Sequence, residues 1–176
     1  MKRSHWRDCL PGSLADPLMR SWLTEPDSLT ARCQRACAVF RVRVLNYGKG
    51  KALADESAGG KVGRELAWVR EVALECDGIP VIFAHTTLST TVNGRLTRWM
   101  ARLGSRSLGS VLFAYPGFRR ASIEYLRLNA QHPLYQRAAT LCAPGKTLWA
   151  RRSLHRLGHQ QVLVTEVFLP AIARLG

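Results

Sequence analysis

The chain has 176 residues, 47% hydrophobic and 8% aromatic, enough for one domain with a sizeable core, and no stretch approaches the ~20 apolar residues that span a bilayer. The net charge of +14, from 26 Lys and Arg against 12 Asp and Glu, suits an anionic partner, but the arginines are scattered without a basic block, so most of this charge reads as solvated surface and no nucleic-acid partner is expected. Five cysteines without a C-x-x-C pair, and His155 and His159 separated by Gly158, give no metal or disulfide framework; packing thiols, no metal and no cofactor are expected.

The basic start Met1-Lys2-Arg3-Ser4-His5-Trp6-Arg7-Asp8 is followed by no apolar signal segment, so a cytoplasmic residence is expected. Residues 1–12 read as an irregular lead-in ending at Pro11-Gly12. Leu14, Leu18, Trp22 and Leu23 have helical spacing, with Asp16-Pro17 at the start and Glu25-Pro26 at the end. Asp27 reads as the N-cap of a second helix from Ser28 to about Cys37. Val39 to Tyr47 alternates as a half-buried strand with Phe40, Val42 and Val44 on one face. Residues 48–63 have loop composition.

Leu66 to Glu75 alternates again: Leu66, Trp68, Arg70, Val72 and Leu74 on one face, Ala67, Val69, Glu71, Ala73 and Glu75 on the other. The face with two glutamates is expected to be the wetter one, which strands Arg70 on the apolar face. Asp77-Gly78 marks a hairpin, and Pro80 to Ala84 returns as its partner strand. Asn93 is read as the cap of a third helix carrying Leu96, Trp99, Met100 and Leu103, ended by Gly104. A short helix follows over 105–113 with Ser107 near its cap, and Phe118 to Leu128 is a further strand. Residues 129–147 read as a surface insertion with one helical turn near His132-Pro133. Leu148 to Leu157, a turn at Gly158-His159-Gln160 and Val162 to Leu169 make a last hairpin closed by Pro170. About six hairpin-linked strands with helices between them predict a single α+β domain, 1–176, on an antiparallel sheet.

Two residues carry the chemical signal. Arg70 and Glu166 each sit mid-strand among apolar neighbours, in different hairpins, and a buried charge must be paired, neutralised or used. Either they form a buried salt bridge with each other, or they face an enclosed site. There Arg70 would grip a ligand carboxylate and Glu166 would meet a hydroxyl or a proton in transit. No nucleotide loop, metal quartet or Ser/His/Asp set competes with them.

The runs Trp68-Val69-Arg70-Glu71-Val72, Cys76-Asp77-Gly78-x-Pro80, Ser107-Leu108-Gly109-x-x-Leu112-Phe113, Leu148-Trp149-Ala150-Arg151-Arg152-Ser153 and Thr165-Glu166-Val167-Phe168-Leu169-Pro170, in that order, resemble the chorismate pyruvate-lyase family of ubiquinone biosynthesis. The resemblance implies a six-stranded antiparallel sheet with helical flaps over an internal ligand site. It implies conversion of chorismate to 4-hydroxybenzoate and pyruvate; the poverty of cofactor motifs fits a cofactor-free reaction, and a monomer is expected. The family's essential arginine falls on Arg70, at the ring carboxylate, and its essential glutamate on Glu166, by the 4-hydroxyl. Two backbone contacts fall on Leu29, where relatives can carry methionine, and on Leu108. His85 stands where the family can carry an arginine; it would be a pH-dependent substitute if that arginine holds the enolpyruvyl carboxylate. The reading from another class is a non-catalytic small-acid-sensing domain of the same fold.

Overall fold

The computed structural model describes residues 5–12, 16–58, 66–88, 95–109, 112, 117, 119–157 and 160–176. Leu14, Asn93, most of the stretch after Gly109 and the turn at Gly158-His159 therefore lie outside the described residues. Six strands form one sheet: β1 (Phe40–Lys51), β2 (Leu66–Cys76), β3 (Ile79–Leu88), β4 (Arg119–Asn129), β5 (Thr147–Leu157) and β6 (Gln160–Phe168). Their order is β1-β2-β3-β6-β5-β4, every pairing antiparallel. Pairing of β3 with β6 joins the first three strands to the last three, so the two hairpins that carry Arg70 and Glu166 meet at the centre.

The β2–β3 hairpin turns where Asp77 (φ 51°) and Gly78 (φ 80°) both adopt the left-handed conformation that this tight connection needs. Helix α1 (Pro17–Leu23) starts on Asp16, whose carboxylate accepts from the N–H of Met19 at 2.9 Å. Helix α2 (Leu29–Ala36) is capped by Ser28, one residue later than the expected Asp27: the Ser28 hydroxyl accepts from Ala31 N–H. The expected loop 48–63 instead begins as strand, because β1 keeps pairing with β2 as far as Lys51 opposite Leu66. It continues as helix α3 (Ala54–Ala58). Helix α4 (Arg95–Ala101) is followed by Gly104 at φ 53°; Leu108, Gly109 and Leu112 are helical, within the short helix expected over 105–113; α5 (Pro133–Ala138) and a 3-10 turn (Pro170–Arg174) follow.

Both sheet faces are covered. On one, Val42, Val72, Leu74, Ile82, Ala84 and Phe168 pack against Trp22, Leu23, Leu29, Cys33 and Ile172 from α1, α2 and the 3-10 turn. On the other, Phe83, Leu126, Leu128, Leu148, Ala150 and Val167 pack against Leu134, Tyr135 and Ala138 of α5. Residues 129–147 thus contribute to the second core, where a surface insertion was expected. The β2 face expected to be wet is dry too: Glu71 and Glu75 are only 9% and 7% exposed. Each glutamate is tolerated because a cation meets it, Arg137 and His85 at Glu71 and Arg43 Nε at 2.6 Å from Glu75.

Candidate active site

A strand alternates its faces, so residues two apart on neighbouring strands build a continuous surface. On the first face one row runs Arg70, Thr86, Val164, Ser153, and the next runs Val72, Ala84, Glu166, Arg151. Arg70 and Glu166 therefore share a face in adjacent rows. Over them lie the start of α2 (Ser28, Leu29, Thr30) and the short helical segment that begins at Ser107-Leu108-Gly109, and together these groups line a cavity whose empty volume, open solvent included, is about 590 Å³. The few convergent polar groups suit a small-molecule site.

Arg70 is 3% exposed. Its Nη2 donates to the carbonyl oxygens of Gly104 and Arg106, at 2.9 and 3.0 Å. Burial lowers its pKa from the ordinary arginine value, and Tyr47 partly offsets that. These two carbonyls fix the guanidinium without neutralising it. Glu166 Oε2 accepts from Arg151 Nε at 2.7 Å, while Arg151 Nη1 donates to the carbonyl oxygens of Glu25 (2.7 Å) and Leu23 (3.3 Å). The salt bridge between Arg70 and Glu166 that the sequence left open is not formed; each has other partners.

Leu29 and Leu108 are both buried and both line the cavity. Leu29 opens α2, so its N–H is among those without a partner inside the helix. The two covering segments are joined: Thr30 Oγ1 and Ser107 Oγ share a 2.6 Å hydrogen bond. A Cβ on Gly109 would lie 3.2 Å from Ser28 Oγ, a tight contact that glycine avoids.

His85 does not belong to the site. It points to the opposite face, fully buried, with Nδ1 2.9 Å from Glu71 Oε1 and Nε2 3.3 Å from Glu56 Oε1. Burial alone would depress its pKa; bonding to the two carboxylates outweighs burial and raises it. The expected substitute for a carboxylate-binding arginine is corrected accordingly: alternation gives the cavity Thr86, the next residue, instead.

The sequence reading missed Arg120, Arg151, Ser153 and His155, which all line the cavity. Arg151 was within reach. Leu157 pairs with Gln160, and counting back along both strands of that tight hairpin sets Arg151 directly opposite Glu166. Ser153 Oγ lies 3.0 Å from His155 Nε2. Burial, then Arg120 and Arg151, push the His155 imidazolium down to a pKa of about 4, so this histidine is neutral near pH 7. Among the described residues, three guanidiniums and one carboxylate line the cavity, an excess of two positive charges that matches a small dianion.

Among the described residues no group of three His, Cys, Asp or Glu side chains is placed to hold a metal ion, and no described helix is long and apolar enough to cross a membrane. A family model for chorismate lyase matches residues 1–174. A protein of Dechloromonas aromatica (strain RCB) named "Probable chorismate pyruvate-lyase" is 74% identical over 175 residues, covering 99% of each chain. One of the same name in Nitrosomonas europaea is 41% identical over 168 residues, covering 94% of each. Among solved structures, the effector domain of PhnF from Mycobacterium smegmatis superposes with a TM-score of 0.54 at 12% identity, over 82% of this chain and 89% of that one. The C-terminal domain of the histidine utilization repressor from Pseudomonas syringae pv. tomato does so at 0.53 and 9%, over 76% and 93%. At such identities these two structures speak for the fold alone. The match along nearly the whole sequence, with relatives at this level of identity, is decisive: the chain belongs to the chorismate lyase family.

Proposed function

We propose that the chain cleaves chorismate to 4-hydroxybenzoate and pyruvate in this cavity, the first committed step of ubiquinone biosynthesis. The observation that carries the reading is the convergence of Arg70 and Glu166 on one enclosed space lined with an excess of positive charge. Chorismate is a dianion whose ring is one elimination away from aromaticity. Breaking the C3–O bond and removing the C4 hydrogen gives 4-hydroxybenzoate, and the same hydrogen, delivered to the enolpyruvyl methylene, makes the methyl group of pyruvate. That transfer can run inside the substrate through a six-membered transition state, so aromatisation supplies the drive and no cofactor is called for. The protein's part is then to hold the reactive conformer and exclude water.

In this reading Arg70 takes the ring carboxylate, its orientation set beforehand by Gly104 and Arg106. Glu166, clamped through Oε2 by Arg151, turns its other oxygen to the 4-hydroxyl. The N–H groups of Leu29 and Leu108 complete the cradle, and the seam between Thr30 and Ser107 must part for ligands to pass. An aromatic product held this way leaves slowly.

The test is to mix the protein with chorismate and follow 4-hydroxybenzoate by absorbance and pyruvate by a coupled assay. Equimolar formation of both, with a burst in the first turnover, is expected. Arg70→Ala should weaken 4-hydroxybenzoate binding by about 2–5 kcal/mol, as for a truncated buried charge. Tight binding of 4-hydroxybenzoate with chorismate left intact would instead make the chain a small-acid sensor of the same fold.

A further inference from the structure

Residues paired across antiparallel strands stand about 4.5–5.5 Å apart and point to the same face. Thr86 is paired in this way with Arg70 on one side and with Val164 on the other, which puts it on the cavity floor beside Arg70. It lines the cavity and is 2% exposed, yet among the described residues nothing hydrogen-bonds its hydroxyl. Its neighbour in sequence behaves in the ordinary way: Thr87, on the opposite face, donates to Glu56 at 3.1 and 3.2 Å. A buried hydroxyl without a partner is costly, and this one stands on a wall that a ligand touches.

The floor also decides which way round a ring lies. Arg70 and Glu166 are separated by two strand spacings and one two-residue step along the strand, roughly 12 Å between backbones. A ring held between their side chains crosses β3 between Thr86 and Ala84. On one flank of that line stand Thr86 and, two strands on, Ser153, whose hydroxyl is 3.0 Å from His155 Nε2. On the other stand Val42, Val72 and Leu74, with no polar side-chain atom among them. Chorismate is equally lopsided. With its ring carboxylate and 4-hydroxyl on the axis, one flank carries the enolpyruvyl ether at C3 and the other is the C–H edge of C5 and C6. Setting the ether against the hydroxyl flank leaves neither Thr86 nor the ether oxygen facing hydrocarbon. Resting on the lyase reading, we propose that the Thr86 hydroxyl donates a hydrogen bond to the ether oxygen of chorismate, the atom that leaves C3. As the C3–O bond breaks, the C4 hydrogen moves to the methylene, the C4–H pair becomes the new ring double bond, and the ether oxygen becomes the keto oxygen of pyruvate. Thr86 passes no proton. Negative charge gathers on that oxygen as the bond stretches, so a fixed donor there binds the transition state more tightly than the substrate. The product 4-hydroxybenzoate has no ether and makes no use of the donor.

The experiment compares wild type with Thr86→Val, which keeps the branched shape and loses the hydroxyl, and with Thr86→Ser, which keeps the hydroxyl. The single-turnover rate of chorismate cleavage is followed by rapid mixing with enzyme in excess, so that slow product release does not mask it. The Kd of 4-hydroxybenzoate is measured by calorimetry, and the melting temperature checks folding. Thr86→Val lowers the single-turnover rate about 30-fold and leaves the 4-hydroxybenzoate Kd within about threefold, whereas Thr86→Ser stays within about threefold of wild type in both. An unchanged rate in folded Thr86→Val, or a Thr86→Ser as slow as Thr86→Val, overturns the assignment. So does a 4-hydroxybenzoate Kd that weakens in step with the rate, which would put the hydroxyl on the ring carboxylate. If Thr86→Val does not fold, Thr86→Ala is held to the same outcomes. A folded wild type inert toward chorismate would remove the lyase reading and this assignment together, whereas an active wild type with an equally fast Thr86→Val removes the assignment alone.

Discussion

Glu166 reaches the cavity with one oxygen already held by Arg151, so its geometry is set before any ligand arrives. A hydrogen-bond acceptor fixed in this way can orient the 4-hydroxyl without carrying a proton. Glu166→Gln should therefore reduce turnover by less than about tenfold, well short of the 10²–10⁴ that a lost general acid or base costs. A single-turnover rate lowered by three orders of magnitude would instead put the proton on Glu166. His155 lends the same pocket a pH dependence. An unfolded histidine titrates near 6.5, and in the fold the value is about 4. Between those limits the unfolded chain takes up a proton that the folded chain refuses. This group therefore costs nothing at neutral pH and destabilises the fold progressively as pH falls from about 6.5 to about 4. His155→Gln removes that cost. Its stability relative to wild type should improve by about 2 kcal/mol between roughly pH 7.5 and pH 4.5 in urea unfolding. A difference that stays flat with pH would mean that water reaches the ring.

Among the elements, α3 was the least visible in the sequence. Its five residues, Ala54–Ala58, have no amphipathic stripe to betray them. What orders them is one carboxylate: Glu56 accepts from the Leu53 N–H at 2.8 Å and from the Thr87 hydroxyl at 3.1 and 3.2 Å, and it lies 3.3 Å from His85 Nε2. Removing one member of such a buried set leaves the others uncompensated, so Glu56→Ala should cost about 3–5 kcal/mol of stability. Because the network lies on the face away from the cavity, the chorismate KM should not move. A loss below about 1 kcal/mol in chemical denaturation would show the cluster to be dispensable. The hairpins, in contrast, were legible. Asp77-Gly78 announces its own turn, and strands of β-branched and aromatic residues pair wherever a turn sets their register. Arg70 and Glu166 were legible for a related reason: a charge on an otherwise apolar strand face breaks a pattern. Arg120 was not, because β4 shifts register between Arg120 and Ile123 and its neighbours Arg119, Ala121 and Ser122 are exposed or small. No apolar frame surrounds it from which the charge could stand out. The dryness of Glu71 and Glu75 was hidden as well, since their partners Arg137 and Arg43 are remote in sequence.

At the scale of the whole molecule, charge and cavity point the same way. The chain carries a net +14, and the site within it has its own cationic excess. A dianionic substrate approaching from solution meets a positive field before it meets the cavity mouth. That field reaches about 30 Å at 0.01 M ionic strength and about 8 Å at 0.15 M. Once the ligand is enclosed, the groups that act on it are buried and screened little by salt. The two stages should separate experimentally: kcat/KM for chorismate falls several-fold as sodium chloride is raised from about 0.01 to about 0.3 M, while kcat changes by less than about twofold. Neutralising surface arginines remote from the site, such as exposed Arg35 and Arg174, should flatten the salt dependence of kcat/KM and leave kcat alone. A kcat that drops in step with kcat/KM would place the salt-sensitive charges inside the cavity, and a kcat/KM indifferent to salt would mean that the surface charge takes no part in capturing the substrate.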